Sequence, residues 1–318
     1  MQNDEILKII AVIPLYNKET TIERAVQSVL AQSSFLELLV VNDGSTDASE
    51  AVLTSLTQER ITIITQVNAG VSAARNAGIR YAKTQGYTHV AFLDADDYWK
   101  PDHMKHIAAL ITQFPAAQVL ATGYEIKQFS TKVKKAVHTN LPTHVPQQLE
   151  HFFEYNYLNS LLNASNSCFA CAVFNDIGLF NTAYSHGEDT DLFIRAGIAC
   201  NVAFNPSVTV VVDRTAIDRS ARIAMNLRNI FNLDVYEKQS QDVPGLKKYL
   251  DLNRFSLSLA YRLENDIKNA AVYKQKVDPK NLSKKQNSLL EMSTNQLKAL
   301  KKTQEILGKL GWYLRTGK

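Results

Sequence analysis

The sequence is poor in cysteine. Cys168, Cys171 and Cys200 are the only three among 318 residues, and such a small, odd number does not make a disulfide framework. Cys168 and Cys171 have the spacing of a redox or metal pair. However, no second pair and no nearby histidine completes a zinc site, and no thioredoxin-like context precedes them. We expect them to be buried thiols of a protein in a reducing compartment.

Long hydrophobic runs are also missing. No apolar run approaches the roughly 20 residues that a membrane-spanning helix needs. The first five residues are polar and acidic, which does not resemble the basic start of a signal peptide. These features predict a cytoplasmic protein, with peripheral contact at the inner face of the membrane as the closest membrane association.

Net charge is small but unevenly distributed. The whole chain carries +4, which is too little to favour nucleic-acid binding. Residues 274–318 contain eleven Lys and Arg against three Asp and Glu, so this end carries +8 and the remainder −4. Two hypotheses stay open for the basic end: amphipathic helices on anionic lipid, or helices that pack on this protein or on a second copy of it.

Apolar strands alternate with amphipathic helices over about the first 120 residues. With short loops, this alternation predicts an α/β fold: a mostly parallel sheet with helices on both faces. The predicted strands are 9–15, 36–41, 61–65, 89–93 and 119–122. The predicted helices are 20–30, 47–58, 73–83 and 102–114.

The pattern is less regular beyond residue 123. It predicts helices at 147–162, from 189, at 224–237 and at 249–272, and strands at 168–174 and 208–212. A last amphipathic stretch ends at Leu310, Trp312 and Tyr313. We therefore expect a catalytic domain over 1–222, with halves 1–123 and 124–222, and a helical region over 223–318.

Three carboxylates, Asp94, Asp96 and Asp97, follow the predicted fourth strand. Crowded carboxylates at the end of a buried strand need a counter-charge, and a hard divalent metal is the usual one. An Asp-rich turn that caps the next helix is the alternative. Polar residues also follow the first two strands, at 14–17 and 42–44. Because ligands bind outside the carboxyl ends of parallel strands, the three clusters favour one site with a metal.

The ordered set of motifs resembles family 2 glycosyltransferases, which have the Rossmann-like GT-A fold and use nucleotide-activated sugars. The matching stretches are 12–17, 40–47, 68–78, 92–97 and 187–189. The resemblance extends over about residues 8–215. In one departure, Asn42 stands where the family often has Asp, but the neighbouring Asp43 is kept.

The resemblance implies a donor site. Asp43 would accept a hydrogen bond from the ring N–H of uracil or thymine, and Arg75 would approach the diphosphate. Asp96 would bind Mn²⁺ or Mg²⁺, assisted by Asp94. The implied donor-binding residues are Pro14, Tyr16, Asn17, Asp43, Asn68, Gly70, Arg75, Asp94, Ala95 and Asp96. Simpler alternatives remain: Asp43 as part of a turn, Pro14 as the end of a strand, and Arg75 as a solvated helix arginine.

The resemblance also implies a catalytic acidic pair. Asp189, with Glu188 as the alternate, would take the proton from the attacking hydroxyl. A pair that caps the following helix is the alternative. Asp97 is open between a metal-side role and a cap, and Trp99 between the sugar pocket and the core. Arg219 and Arg222 are open between an anionic ligand and solvent.

These expectations describe a metal-dependent, inverting transferase. It would move a sugar from a UDP- or dTDP-sugar to a hydroxyl of a glycan or lipid-linked glycan, as in the synthesis of cell-surface polysaccharide or lipopolysaccharide. A sugar nucleotidyltransferase is one alternative, but such enzymes carry a glycine-rich loop after the first strand, and residues 14–18 contain no glycine. A non-catalytic nucleotide-binding scaffold is the other alternative.

Overall fold

The computed structural model describes residues 7–33, 36–56, 59–129, 132–141, 145–216 and 224–309. Within these ranges, ten strands form one sheet. The strands are β1 (Ile9–Leu15), β2 (Glu37–Asn42), β3 (Ile61–Thr65), β4 (His89–Phe92), β5 (Tyr98–Trp99), β6 (Val119–Phe129), β7 (Lys132–Lys135), β8 (Gln147–Leu149), β9 (Ser167–Ala170) and β10 (Val202–Asp213). The helices are α1 (Ile22–Leu30), α2 (Ser49–Ser55), α3 (Val71–Thr84), α4 (His103–Gln113), α5 (Glu188–Ala199), α6 (Leu246–Leu263), α7 (Ile267–Gln275), α8 (Lys284–Glu291) and α9 (Thr294–Lys309).

The strand order is β3-β2-β1-β4-β9-β6-β10-β5, with β7 beside β6 and β8 beside β10. The first four strands are parallel, as predicted, because each is followed by a helix that carries the chain back. The second half is mixed. β9 runs antiparallel between β4 and β6 because short turns, rather than a crossover helix, precede it. The expectation of a mostly parallel sheet therefore holds only for the first half.

The side chains of β1 alternate between two cores, one on each face of the sheet. Ile10 and Val12 point to a core that includes α3, α5 and part of α6. Ala11 and Ile13 point to a second core that includes α1 and α4. A strand that is apolar on both faces requires this two-sided burial. The predicted helices on both faces are therefore confirmed.

Two predicted helices are wrong. Residues 147–162 form β8 and a 3₁₀ helix (Phe152–Asn156), because the Asn156 carboxamide bonds the backbone at Phe152 and Leu161 and curls the chain. Residues 224–237 form only short 3₁₀ turns, because Ile230 pairs with His186 as an isolated bridge.

The predicted helix 249–272 is interrupted. It divides into α6 and α7 because Asn265 adopts φ +66° and Asp266 caps α7 by accepting from the N–H of Asn269. Three strands also differ in length from the prediction. β6 continues to Phe129, β9 ends at Ala170, and β10 begins at Val202.

Cys168 and Cys171 are both buried, as expected, and burial raises the pKa of the Cys171 thiol to about 11. A buried thiol with a raised pKa is a poor nucleophile at neutral pH.

The described part of the basic end packs on the protein. A small core between α6 and the later helices contains Leu252, Phe255, Leu282, Leu289, Leu290 and Leu297. No helix in the described ranges is long and apolar enough to cross a membrane. The predicted boundary at 222 lies outside the described residues, as do Arg219, Arg222, Leu310, Trp312 and Tyr313. The division into domains therefore stays a prediction.

Candidate functional site

The loops after β1 and β2 are tied together at one edge of the sheet. Asn17, at φ +50°, accepts from the N–H of Thr46 at 2.8 Å through Oδ1, and its own N–H donates to Ser45 Oγ at 3.1 Å. Pro14 is buried in β1. The pairing of β1 with β4 ends at Val12, so the missing N–H of Pro14 removes no hydrogen bond to β4. Tyr16 is 46% exposed beside these loops. The predicted base-packing residues therefore lie together, with one aromatic ring open to a ligand.

Asp43 is 2% exposed and organises the loop that precedes α3. Its carboxylate accepts from Gln66 Nε2 at 2.7 Å and from the N–H groups of Ala69 and Gly70 at 2.9 and 2.8 Å. Asn68 Nδ2 donates to the Asp43 carbonyl at 3.0 Å. Three of the predicted donor-binding residues are thus joined, but the chain itself already uses much of the Asp43 carboxylate. Gln66 carried no signal in the sequence.

The carboxylates after β4 have different environments. One oxygen from each of Asp94, Asp96 and Asp97 lies within 4.8 Å of the others. Asp94 is 2.7 Å from Arg75, and Asp96 is 3.5 Å from Lys18. These two carboxylates offer hard oxygen ligands. A basic side chain balances the negative charge of each, and a divalent ion would supply positive charge to the same carboxylates. Asp94 and Asp96 therefore fit a Mn²⁺ or Mg²⁺ site.

Asp97 is neither a helix cap nor a free ligand. It is buried, and it accepts from Ser165 Oγ at 2.5 Å and from the N–H of Asp213 at 2.8 Å. Burial, and then the charges of Asp96 and Asp94, raise the pKa of Asp97 well above its usual range. The side chain joins the carboxylate loop to the end of β10.

Ser165 holds this loop and was missed in the sequence. Its Oγ accepts from the N–H of Asp94 at 3.1 Å while donating to Asp97, and its carbonyl accepts from Trp99 Nε1 at 2.7 Å. Trp99 is 3% exposed and packs in the core, which decides against the sugar pocket. The side chain of Ala95 is in the same core, so only the backbone of this predicted donor residue can face a ligand.

A second cross-link fixes the loop from the other side. Arg24 donates to the carbonyl of Asp96 at 2.7 Å and to Asp213 at 2.8 Å. Burial alone would raise the pKa of Asp213, but hydrogen bonds from Thr215, Lys127 and Arg24 lower it to about 2. The position of Asp96 is therefore set by an ionised, paired network.

Arg75 is 4% exposed and joins two acidic groups. One terminal nitrogen lies 2.7 Å from Asp94 and the other 3.2 Å from Glu188, and the guanidinium lies over the ring of Phe180 at 5.2 Å. Although burial opposes the charge, Asp94 and Glu188 raise the pKa of Arg75 above its usual value. Arg75 is therefore not a solvated helix arginine.

Glu188 and Asp189 begin α5 behind Gly187, which is the N-cap at φ +81°. A Cβ at Gly187 would lie 2.3 Å from Phe231, so this turn requires glycine. Burial and then the nearby Asp189 raise the pKa of Glu188, and Arg75 partly offsets this. Asp189 accepts from the N–H of Thr190 at 2.6 Å and lines a pocket of about 230 Å³. The Asp189 carboxylate therefore also satisfies a backbone donor in the first turn of α5, which agrees with the capping alternative for this residue.

The fold and its edge of carboxylates define a GT-A protein. The structure superposes on Staphylococcus aureus TarS 1–349 in complex with UDP-GlcNAc, with a TM-score of 0.60 and 18% identity over 97% of this chain and 93% of that one. This likeness shows the GT-A fold. Residues 10–178, just over half of the chain, match the family model described as Glycosyl transferase family 2. The chain belongs to that family.

The curated relatives match shorter segments. An uncharacterized glycosyltransferase of Nostoc sp. is 45% identical over 102 residues, which is 32% of each chain. The succinoglycan biosynthesis protein ExoW of Rhizobium meliloti is 41% identical over 114 residues, covering 34% of this chain and 35% of that protein. The match with each of these two relatives covers about a third of that relative's length.

Proposed function

We propose that this protein is a metal-dependent, inverting glycosyltransferase. It moves a sugar, a hexose or N-acetylhexosamine, from a UDP-sugar (or dTDP-sugar) to a hydroxyl of a glycan or lipid-linked glycan. The observation that carries the proposal is that Arg75 links Asp94, at the proposed metal site, to Glu188, the neighbour of Asp189. Family membership, the TarS complex with UDP-GlcNAc and the polysaccharide role named for ExoW support it.

The roles follow from the geometry. Asp94 and Asp96 would hold Mn²⁺ or Mg²⁺, which would stabilise the negative charge on the departing nucleoside diphosphate. Arg75 supplies a permanent positive charge between the two sets of carboxylates. Asp189 accepts the proton of the acceptor hydroxyl as its oxygen bonds to the anomeric carbon. The bond from that carbon to the diphosphate breaks on the opposite face.

The remaining expectations are parts of the same proposal. Residues 1–222 would form the catalytic domain, with the nucleotide-sugar half at about 1–123 and the acceptor half at about 124–222. Residues 223–318 would form a C-terminal helical region. The protein would act in the cytoplasm, with the basic end in peripheral contact with the membrane or with a second copy. The buried leucines of α8 and α9 favour packing for the described part of this end.

The decisive experiment measures UDP release. The protein is incubated with UDP-Glc, UDP-Gal and their N-acetyl forms, with Mn²⁺ or with a chelator. We expect slow release from one donor, lost on chelation and in Asp96→Asn. The matched control is Asp102→Asn, because Asp102 is exposed and makes no side-chain cap bond to α4. Near-normal release by Asp96→Asn with the metal chelated would refute the proposal.

The same assay separates the alternatives. A nucleotidyltransferase would instead form pyrophosphate from a nucleoside triphosphate and a sugar phosphate. A scaffold would bind UDP but release none from any donor.

A further inference from the structure

The pocket beside Asp189 contains none of the proposed donor-binding residues. Its walls come from the middle of β6, the end of β10, the segment 156–163, the start of α5 and one face of α6. Its volume of about 230 Å³ is below the roughly 300–1,000 Å³ typical of sites for drug-sized ligands. The pocket therefore has room for about one sugar ring rather than for a nucleotide.

The lining is mostly neutral and polar. It is rich in carboxamides and tyrosines, and among the described residues only Asp189 and Arg214 contribute charge. Arg214 is exposed, whereas Asp189 is partly buried. Carboxamides both donate and accept hydrogen bonds, as sugar hydroxyls do. The opposite charges of Asp189 and Arg214 balance, and the rest of the lining is neutral, so the pocket favours an uncharged ligand.

Asn163 lines this pocket and carries an unsatisfied donor. Its Oδ1 accepts from the N–H of Asn166 at 3.0 Å, which fixes the orientation of the amide. Its Nδ2 is buried and has no hydrogen-bond partner within the described part of the chain. A buried unsatisfied amide is unfavourable, so Nδ2 is suited to an oxygen of a ligand.

The wall from α6 consists of Tyr249, Leu252 and Asn253. Residues at these spacings share one face of a helix. The segment opposite is fixed, because Tyr124 donates to the carbonyl of Ser160 at 2.9 Å. α6 lies beyond the residues 10–178 that match the family model. This wall is therefore contributed by the C-terminal part of this chain.

We infer that the pocket is an acceptor subsite for one uncharged sugar residue at the end of a glycan, with α6 as its specificity-determining wall. This inference rests on the proposed function. The carboxamides and Tyr249 would contact the hydroxyls, Leu252 would pack against the ring, and one hydroxyl would reach Asp189.

Ligand-observed NMR on the full chain tests the subsite directly. The probes are the methyl glycosides of glucose, galactose and N-acetylglucosamine, compared with glucuronic acid and glucose 6-phosphate. We expect one neutral glycoside to bind, and Asn253→Ala to weaken its binding about five-fold through the loss of a hydrogen bond. The matched control is Ser256→Ala, because both side chains donate to the carbonyl four residues earlier on α6, but Ser256 does not line the pocket.

Several results would overturn the subsite: no neutral glycoside binds, the two variants bind it equally, or an anionic sugar binds more tightly. Displacement of the glycoside by a UDP-sugar but not by UDP would assign the pocket to the donor sugar instead. UDP binding in the presence of Mn²⁺ is measured in the same samples. Glycoside binding without UDP binding would count against the proposed donor function alone.

Discussion

The guanidinium of Arg75 lies 2.7 Å from the carboxylate of Asp94. Its other terminal nitrogen lies 3.2 Å from Glu188, so one buried cation spans the proposed metal site and the proposed catalytic pair. A planar, forked side chain can hold two carboxylates at once, whereas an ammonium group acts as a point charge.

Arg75→Lys should therefore uncouple the two groups. Because a lysine cannot keep both pairs, we expect kcat/KM to fall about ten-fold or more and the free energy of unfolding to fall by about 1–3 kcal/mol. Kinetics and urea denaturation measure the two effects. Arg80→Lys, on the exposed part of α3, is the control. Equal behaviour of the two variants would mean that the bridge has no role.

Lys18 should compete with the metal for Asp96. The two side chains form an ion pair at 3.5 Å, and a divalent ion bound to the same carboxylate would be repelled by the ammonium group. Lys18→Met should therefore tighten Mn²⁺ binding without nucleotide by about three- to five-fold, as expected for a partly exposed pair. Calorimetry with Mn²⁺ measures this change in affinity. Lys105→Met is the control, because Lys105 is an exposed residue of α4. Unchanged or weaker Mn²⁺ binding would exclude the competition.

Asp189 is the proposed base, so Asp189→Asn should remove the proton acceptor and keep the shape. We expect kcat to fall by about 10²–10⁴-fold. Glu188→Gln should cost less, since it removes only a neighbour that pairs with Arg75. The order of the two losses decides the assignment. A larger loss in Glu188→Gln would transfer the role to Glu188.

The pH dependence of stability tests the environment of Glu188. Its pKa is raised above the ordinary value of 4.5, first by burial and then by Asp189, so the folded state binds this proton more tightly than the unfolded chain. Its contribution to stability is therefore fully present below pH 4.5 and is lost as pH rises through the raised pKa. Relative to Glu188→Gln, the wild type should lose stability over this window in urea denaturation. A constant difference would contradict the raised pKa.

Gly187 should tolerate no side chain. Gly187→Ala adds both a left-handed backbone cost and a contact of 2.3 Å with Phe231. Gly86→Ala is the matched control, because Gly86 has φ +73° and nothing within 4 Å of the added Cβ. The clash should make Gly187→Ala less stable than Gly86→Ala by about 1–3 kcal/mol in urea denaturation. Similar losses would show that Phe231 moves aside freely.

The first half of the fold was predictable because its signals are local. The bounds of β1 and β3 agree with the prediction, and α4 begins and ends within one residue of it. Short loops then placed Asp43, Asp94 and Asp96 at one sheet edge. The helices predicted at 147–162 and 224–237 were wrong because the signal there is not local. The apolar residues of these segments pack against distant elements and do not form one face of a helix.

The sequence by itself determined the family, the parallel half of the sheet and the carboxylates at its edge, because ordered motifs and strand periodicity are short-range properties. Only the tertiary structure decided the partners of those carboxylates. Ser165 meets Asp97 across 68 positions, and Arg75 meets Glu188 across 113. Such contacts leave no local pattern. The same is true of the α6 wall of the pocket, whose residues meet the segment 156–163 only when the chain has folded.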